Sequence, residues 1–272
     1  GISQSAVSHA LKQLESEWGV TLLSRSKSGI EVTEVGKNLL VRARELLGVS
    51  EAIHQEVSAI RGLNRGVLRI GSFGPSSSIL LLPRILEQYR QSFPEIEIFV
   101  DEGTDDAVAQ WIAERRVDVG FVVLPDERFD VQPLVEDQYV AVLPLSHPLA
   151  RQKSVQLSDL CHSPFIMTAA GATAQIEQLF ESAGLRPAVK HRYSQIITII
   201  KMVEHGAGVS IVADFALSDQ VMAMCPGVVK KPLAPVAKRQ VGLAVPSLRH
   251  ASPAVHAFLR TAKAMMPTLR EG

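Results

Sequence analysis

The stretch Ile2-Ser3-Gln4-Ser5-Ala6-Val7-Ser8-His9-Ala10-Leu11-Lys12-Gln13-Leu14-Glu15 carries two opposed faces at helical spacing. Ala6, Val7, Ala10, Leu11 and Leu14 fall three and four residues apart, an apolar stripe that predicts an amphipathic helix. Ser3 stands at the N-cap position, where its hydroxyl can accept from a free amide of the first turn. Gln4, Ser5, Ser8, His9 and Lys12 occupy the other face. Short or amide-bearing side chains at the N-terminus, with basic ones further along, suit a helix whose first turn meets base edges while its flank meets phosphate. The same pattern also fits an ordinary surface helix, so the residues that follow decide. They are Trp18-Gly19-Val20, Leu22-Leu23-Ser24-Arg25, and then Ser26-Lys27-Ser28-Gly29-Ile30-Glu31-Val32-Thr33, a short hairpin signal with glycine at its tip.

Helix and hairpin together resemble the second half of a winged helix-turn-helix. S-Q-S-A-V-S, L-E, G-V-x-L-L-x-R and V-T-x-x-G, in that order, resemble the DNA-binding domain of LysR-type transcriptional regulators. The resemblance implies that Ser3, Gln4, Ser5, Ser8, His9 and Lys12 face operator DNA, with Arg25 and Lys27 as cations of the wing. His9 stands where the family usually has arginine, and Ser28 aligns with the usual wing arginine. In that family a first helix and a positioning helix precede these residues. A chain that opens at Gly1 is therefore expected to hold a partial domain over residues 1 to 35 and to bind operator more weakly than its parent.

Leu39, Leu46, Ile53 and Ile60 repeat every seven residues, with Ala43, Ser50 and Val57 at the complementary positions. This heptad seam predicts a two-helix coiled coil. A helix over residues 36 to 62 spans roughly 40 Å, well suited to joining two copies, although packing against its own chain is the alternative. The resemblance implies a linker helix that dimerises, and a homotetramer in the full-length form.

Beyond Asn64-Arg65-Gly66, strands alternate with helices. Strands are predicted at 67–71, 97–100, 117–123, 139–143, 165–167, 189–193, 209–212 and 241–245, and helices at 82–93, 106–115, 174–183 and 196–205. The pattern is α/β, with a mostly parallel sheet covered on both faces. L-R-I-G, L-L-P-R-I-L, S-F-P-E-I-E-I, D-E-G-T, R-R-V-D-V-G-F-V, A-V-L-P-L-S-H-P-L-A and V-E-H-G-A-G-V-S-I-V resemble the effector-binding domain of the same regulators. That likeness implies a two-lobed, periplasmic-binding-protein-like domain, with residues 67 to 138 and 241 to 266 as the first lobe and 139 to 240 as the second.

With 272 residues and 46% hydrophobic composition, the chain can bury two or three cores. Its 28 Lys and Arg balance 28 Asp and Glu, so any attraction for nucleic acid is local rather than global. Cys161 and Cys225 lie far apart with no metal-ligand spacing, which fits packing in a reducing cytoplasm. A redox-sensing pair is the sharper alternative. No run approaches a membrane span. The scattered histidines make no HxxxH or HExxH array, and no GxSxG elbow or phosphate-cradling loop is present, so neither metal, cofactor nor catalytic constellation is expected.

Hydroxyls at chain turns are different. Ser76 and Ser77 follow the first α/β strand, Thr104 follows the second, and Thr168 and Thr173 flank a strand-to-helix turn of the second lobe. Ligands in open α/β folds lie outside the carboxyl ends of strands, where helix N-termini offer amides. Each hydroxyl can equally cap its own helix. Converging on one cleft, the five predict a small-molecule effector site, and an anionic effector. The sequence thus reads as a LysR-like, DNA-binding, non-enzymatic regulator. A solute-binding protein without DNA binding is the alternative, and an enzyme comes third.

Overall fold

The computed structural model describes residues 3–26, 29–60, 65–169 and 172–269. The chain begins with α1 (Gln4–Trp18), the paired strands β1 (Leu23–Ser26) and β2 (Gly29–Val32), and the 27-residue α2 (Glu34–Ile60). Gly19, at φ 65°, ends α1 in the left-handed conformation that glycine adopts without strain.

Then come β3 (Gly66–Phe73), a π-helical turn over Ser76–Leu81 running into α3 (Leu82–Ser92), β4 (Ile96–Gly103), α4 (Asp105–Ala113), β5 (Val119–Leu124) and β6 (Asp130–Pro144). The chain continues through α5 (Leu157–Leu160), β7 (Pro164–Thr168), α6 (Thr173–Ser182), β8 (Ala188–Tyr193), α7 (Ile196–Glu204) and β9 (Val209–Ala213). It ends with α8 (Asp219–Ala223), β10 (Val228–Val245) and α9 (Pro253–Leu269).

Eight strands form one sheet in the order β4-β3-β5-β10-β6-β9-β7-β8. β3 is parallel to β4 and β5, and β7 is parallel to β8 and β9. Two long antiparallel strands join these halves. β10 pairs with β5 from Gln240 to Ala244 and with β6 along nearly its whole length, while β6 pairs with β9 from Tyr139 to Val142. All eight predicted strands are present, but β6 and β10 start well before the predicted 139 and 241. Their added segments are polar and proline-interrupted, Asp130 to Gln138 and Val228 to Gln240, and the register of β10 shifts between Pro232 and Ala237. A ladder whose side chains are half solvated lacks the apolar run that marks a buried strand.

Burial follows the two halves. One core gathers Leu68, Ile70, Ile85, Tyr89, Phe121 and Phe258 around the first. Two further cores lie on the second, one around Phe165 and Phe180, the other around Ile166, Ile199 and Val203. α9 returns to the first half, where the Tyr89 hydroxyl donates to the Ala254 carbonyl at 3.0 Å and the Tyr89 and Phe258 rings meet edge to face at 5.5 Å. The fold is α/β and two-lobed, preceded by a long helix and a helix-plus-wing unit.

Candidate functional site

At the N-terminal unit the Ser3 hydroxyl accepts from the Ala6 amide at 3.3 Å, as an N-cap does, and lies 2.9 Å from the Ser5 hydroxyl. Gln4, Ser5, Ser8, His9 and Lys12 are all exposed. So are Ala6, Val7 and Ala10 of the apolar stripe, and α1 buries no residue fully. Arg25 lies on β1 opposite Ile30, while Lys27 and Ser28 fall outside the described residues. Two motif residues hold this unit together. The Glu15 carboxylate accepts from the amides of Leu22 at 2.6 Å and Leu23 at 3.1 Å, which ties α1 to the wing and holds that carboxyl below its usual range. The Thr33 hydroxyl donates to the Thr21 carbonyl at 2.7 Å and accepts from the Gly36 amide at 3.0 Å, capping α2. Gly36 is packed so closely that a Cβ there would collide with the Leu22 carbonyl oxygen. These contacts give physical reasons for L-E and V-T-x-x-G.

On α2, Leu46, Ile53 and Ile60 are exposed, Ile60 at 86%, and Leu39 is half-buried. The helix is anchored on its other side. Gln55, only 3% exposed, donates from Nε2 to the Val67 carbonyl at 3.1 Å and accepts at Oε1 from the Ala254 amide at 3.2 Å. It thereby joins α2 to the start of β3 and to the first turn of α9. Arg44 adds a bond to the Glu114 carbonyl at 3.1 Å. A cavity of about 820 Å³ lies between α2 and the first half of the sheet, lined in part by Arg44, Gln55, Arg69 and Val255.

The turn hydroxyls divide in their roles. Ser77 donates to the Phe73 carbonyl and accepts from the Phe73 amide at 2.9 Å, closing the turn after β3. Thr104 accepts from the Ala107 amide at 3.1 Å and caps α4. Thr173 donates to the Thr168 carbonyl across the turn into α6, and Thr168 is buried. Ser76 reaches further, accepting from Arg239 Nη2 at 2.8 Å.

That bond leads to groups the sequence reading missed. Arg239 on β10 and Asp137 on β6 form a buried ion pair at 2.6 Å, with side chains 5% and 3% exposed. The other Asp137 oxygen accepts from the amides of Phe215, at 3.0 Å, and Gln138, at 2.8 Å. A continuous chain of bonds thus runs from the end of β9 through both joining strands to the turn after β3. Beside it the Arg239 guanidinium lies 5.5 Å from the centre of the Tyr139 ring, and burial raises the Tyr139 phenol above its ordinary value, with Arg239 opposing.

Across the gap, Gln175 Nε2 of α6 donates to Asp105 Oδ2 of α4 at 3.2 Å, bringing the turns that hold Thr104 and Thr173 to face each other. Burial pushes the Asp105 carboxyl up to about 6, aided by the like charge of Asp106. The first turns of α4 and α6 meet directly here. Neither the 820 Å³ cavity nor a second of about 730 Å³ beside the joining strands is lined by Thr104, Asp105, Thr168 or Thr173. The sequence signal for Asp105 was an acid in a first helical turn, which by itself indicates only a dipole contact. Arg239 and Asp137 gave none, because both sit in polar strand segments.

Among the described residues no group of three His, Cys, Asp or Glu is arranged to hold a metal ion, and no helix is long and apolar enough to cross a membrane. Cys225 is buried in one core of the second lobe and Cys161 packs against the other. The Cys161 thiol donates to the Leu157 carbonyl at 3.5 Å, and burial raises its pKa, the opposite of what a reactive thiolate needs.

Comparison with known proteins matches this architecture at both ends. Residues 1–37 match the bacterial regulatory helix-turn-helix protein, lysR family, and residues 61–267 match the LysR substrate binding domain. The uncharacterized HTH-type transcriptional regulator YvbU of Bacillus subtilis (strain 168) is 34% identical over 263 residues, covering 96% of this chain and 89% of that protein. A full-length OxyR variant from Pseudomonas aeruginosa superposes with a TM-score of 0.73 at 23% identity, covering 96% of this chain and 86% of that one, a likeness of fold. HinK, a LysR family transcriptional regulator from Pseudomonas aeruginosa, gives a TM-score of 0.64 at 26% identity over 99% of this chain and 90% of its own. Helix-plus-wing, long helix and two-lobed domain occur here in the order both family matches require, and the chain belongs to the LysR family of bacterial helix-turn-helix transcriptional regulators.

Proposed function

We propose a division of labour within this DNA-binding regulator. Residues 1 to 35 are its DNA-reading unit, in which Ser3, Gln4, Ser5, Ser8, His9 and Lys12 face operator and Arg25 and Lys27 flank it. Residues 36 to 62 are the dimerisation helix, joining two copies through Leu39, Leu46, Ile53 and Ile60, and two such dimers make a tetramer. Residues 67 to 138 with 241 to 266, and residues 139 to 240, are the two lobes that take a small-molecule effector between Ser76, Ser77 and Thr104 on one side and Thr168 and Thr173 on the other. The protein works in the cytoplasm on DNA and catalyses no reaction. A solute-binding protein that ignores DNA does not account for a lysR-family helix-turn-helix match at the N-terminus.

The observation that carries the effector reading is the interlobe junction itself. Asp105 and Gln175 bond across it, and Ser76 is wired through Arg239 and Asp137 to the far lobe. A ligand lodged there touches both lobes and biases their relative placement, the differential contact that any ligand-driven change requires. The test is thermal denaturation against a panel of small metabolites, because binding to the native state raises Tm by mass action. Ser76→Ala combined with Thr104→Val is expected to weaken the responding ligand about five- to 150-fold, the equivalent of 1 to 3 kcal/mol for lost donors. The cap lost at Thr104 is read separately, as a lower Tm of the free variant. A ligand bound equally well by wild type and double variant would place the site elsewhere.

A further inference from the structure

Three buried side-chain oxygens make no well-formed hydrogen bond among the described residues, and all three belong to the interlobe junction: Asp105 Oδ1, Tyr139 Oη and Gln175 Oε1. The amides of Asp105 and Asp106 act on the Asp105 carboxyl, and the Arg239 guanidinium on the Tyr139 phenol, without supplying these oxygens a bond of normal geometry. Asp105 and Tyr139 are only 8% and 3% exposed. Unpartnered buried polar atoms are rare because each one forfeits its hydration, and three at one place call for an explanation. Asp105 and Gln175 are in direct contact, and the charge of Asp105 acts on the Tyr139 phenol, so the three are near neighbours.

Their chemistry is one-sided. A carboxylate oxygen and an amide oxygen only accept, and a phenol oxygen accepts as well as donates. Turning the Gln175 amide over does not change this, since it would set Oε1 against Asp105 Oδ2, acceptor against acceptor. The charge is one-sided too. The nearby cations are already paired, Arg239 with Asp137 and Arg128, which feels the charge of Asp106, with Asp126, and no ion pair among the described residues includes Asp105. The one acidic neighbour that most affects it, Asp106, carries the same sign. A ligand carboxylate or phosphate at this spot meets the unpaired charge of Asp105, and of the three oxygens only the Tyr139 hydroxyl could turn to donate to it. This differs from the anionic effector that the turn hydroxyls suggest: Ser77 and Thr173 spend their hydrogens inside their own turns, whereas Ser76 and Thr104 accept there and donate in no bond among the described residues.

A group with three donors and one positive charge is the complement. We propose that the interlobe junction seats the primary ammonium group of an amine or amino acid, with Asp105 Oδ1 as its counter-ion and Tyr139 Oη and Gln175 Oε1 as its other acceptors. Asp105 comes from the first lobe, Gln175 from the second and Tyr139 from a joining strand, so the ammonium bridges all three. The proposal rests on the junction being the effector site and names the ligand class for it.

The experiment is calorimetry and thermal denaturation of the chain at about pH 7.5 with the common amino acids, putrescine and cadaverine. Each amino acid is paired with the carboxylic acid lacking its α-amino group. At least one amine is expected to bind and raise Tm, with its deaminated partner about tenfold weaker or more. Asp105→Asn is expected to weaken that amine about tenfold or more while keeping the native circular dichroism, and Asp106→Asn, on an exposed residue, is expected to leave binding unchanged. If no amine binds, or if Asp105→Asn binds the amine as wild type does, the proposal falls. A deaminated acid or polyol whose binding is weakened by Ser76→Ala but not by Asp105→Asn overturns the ammonium seat and leaves the effector site in place. Binding indifferent to Ser76→Ala, Tyr139→Phe and Asp105→Asn alike overturns both.

Discussion

A buried carboxylate with one oxygen unpartnered is held at a cost that depends on pH. An ordinary aspartate titrates at 3.8, and burial lifts Asp105 to about 6 in the folded protein. The folded state therefore takes up this proton at higher pH than the unfolded chain. Its stability is penalised above about pH 6, and the penalty fades as pH falls through 6 toward 4. At roughly 1.4 kcal/mol per pH unit the penalty is of order 1 to 3 kcal/mol. Asp105→Asn is expected to stabilise the free protein by that amount near pH 7.5 and to change little near pH 4, where the wild-type group is neutral. Urea denaturation at the two pH values measures the difference; equal effects at both would mean that Asp105 is not ionised in a dry site. The cysteines give a second expectation. With Cys225 buried and the Cys161 thiol raised and bonded to a carbonyl, both are expected to react with a thiol-exchange dye far more slowly in the native protein than in denaturant. Rapid native labelling of either residue would reopen a redox role.

The long helix α2 offers the two kinds of surface that a joint requires. Its outward face exposes Leu46 at 74% and Ile53 at 55%, and its inward face buries Gln55. Changing Leu46 and Ile53 together to aspartate places charges where a second helix is proposed to pack, so light scattering is expected to show monomers. Because both side chains are exposed within one chain, the monomer is expected to stay folded; an unchanged oligomeric mass would put the seam elsewhere. Gln55→Ala acts on the other face. It leaves the Val67 carbonyl and the Ala254 amide without partners, for a loss of about 1 to 3 kcal/mol. Faster hydrogen exchange is expected at the C-terminal half of α2 and the first turn of α9, and unchanged exchange at both would remove Gln55 from the anchor. The heptad was legible because leucine and isoleucine at a fixed period announce a helix face. Gln55 was not, because a glutamine off the seam looks like a solvated residue until β3 and α9 close over it. Glu15, Thr33 and Gly36 lay in between: their words were visible, but their reasons, two amides, a cap and a close carbonyl, needed the turn of the wing.

At the scale of the whole molecule the two lobes are halves of one sheet, and what joins them is β6 and β10. The strand-helix alternation that made the lobes legible is absent from those joining segments, where Lys230, Lys231, Pro232 and Pro235 read as loop. The same segments hold Asp137, Tyr139 and Arg239, which is why the sequence led to Ser76, Thr104 and Thr173 at the walls of the proposed site and missed the groups proposed for its floor. A buried ion pair is weak evidence for stability, since desolvation offsets most of its attraction, but losing one partner strands the other. Arg239→Met is therefore expected to cost about 3 to 5 kcal/mol, leaving Asp137 charged and unpaired among buried groups and Ser76 without its donor. Asp137→Asn in addition is expected to recover most of that loss, because the asparagine oxygen still accepts from Phe215 and Gln138 while the stranded charge is gone. Urea midpoints for the two single variants and the double complete the cycle, and a coupling of about 2 kcal/mol or more is the expected result. Additive losses would show that Asp137 and Arg239 act independently, and the continuous line of bonds from β9 to the turn after β3 would then not transmit strain between the lobes.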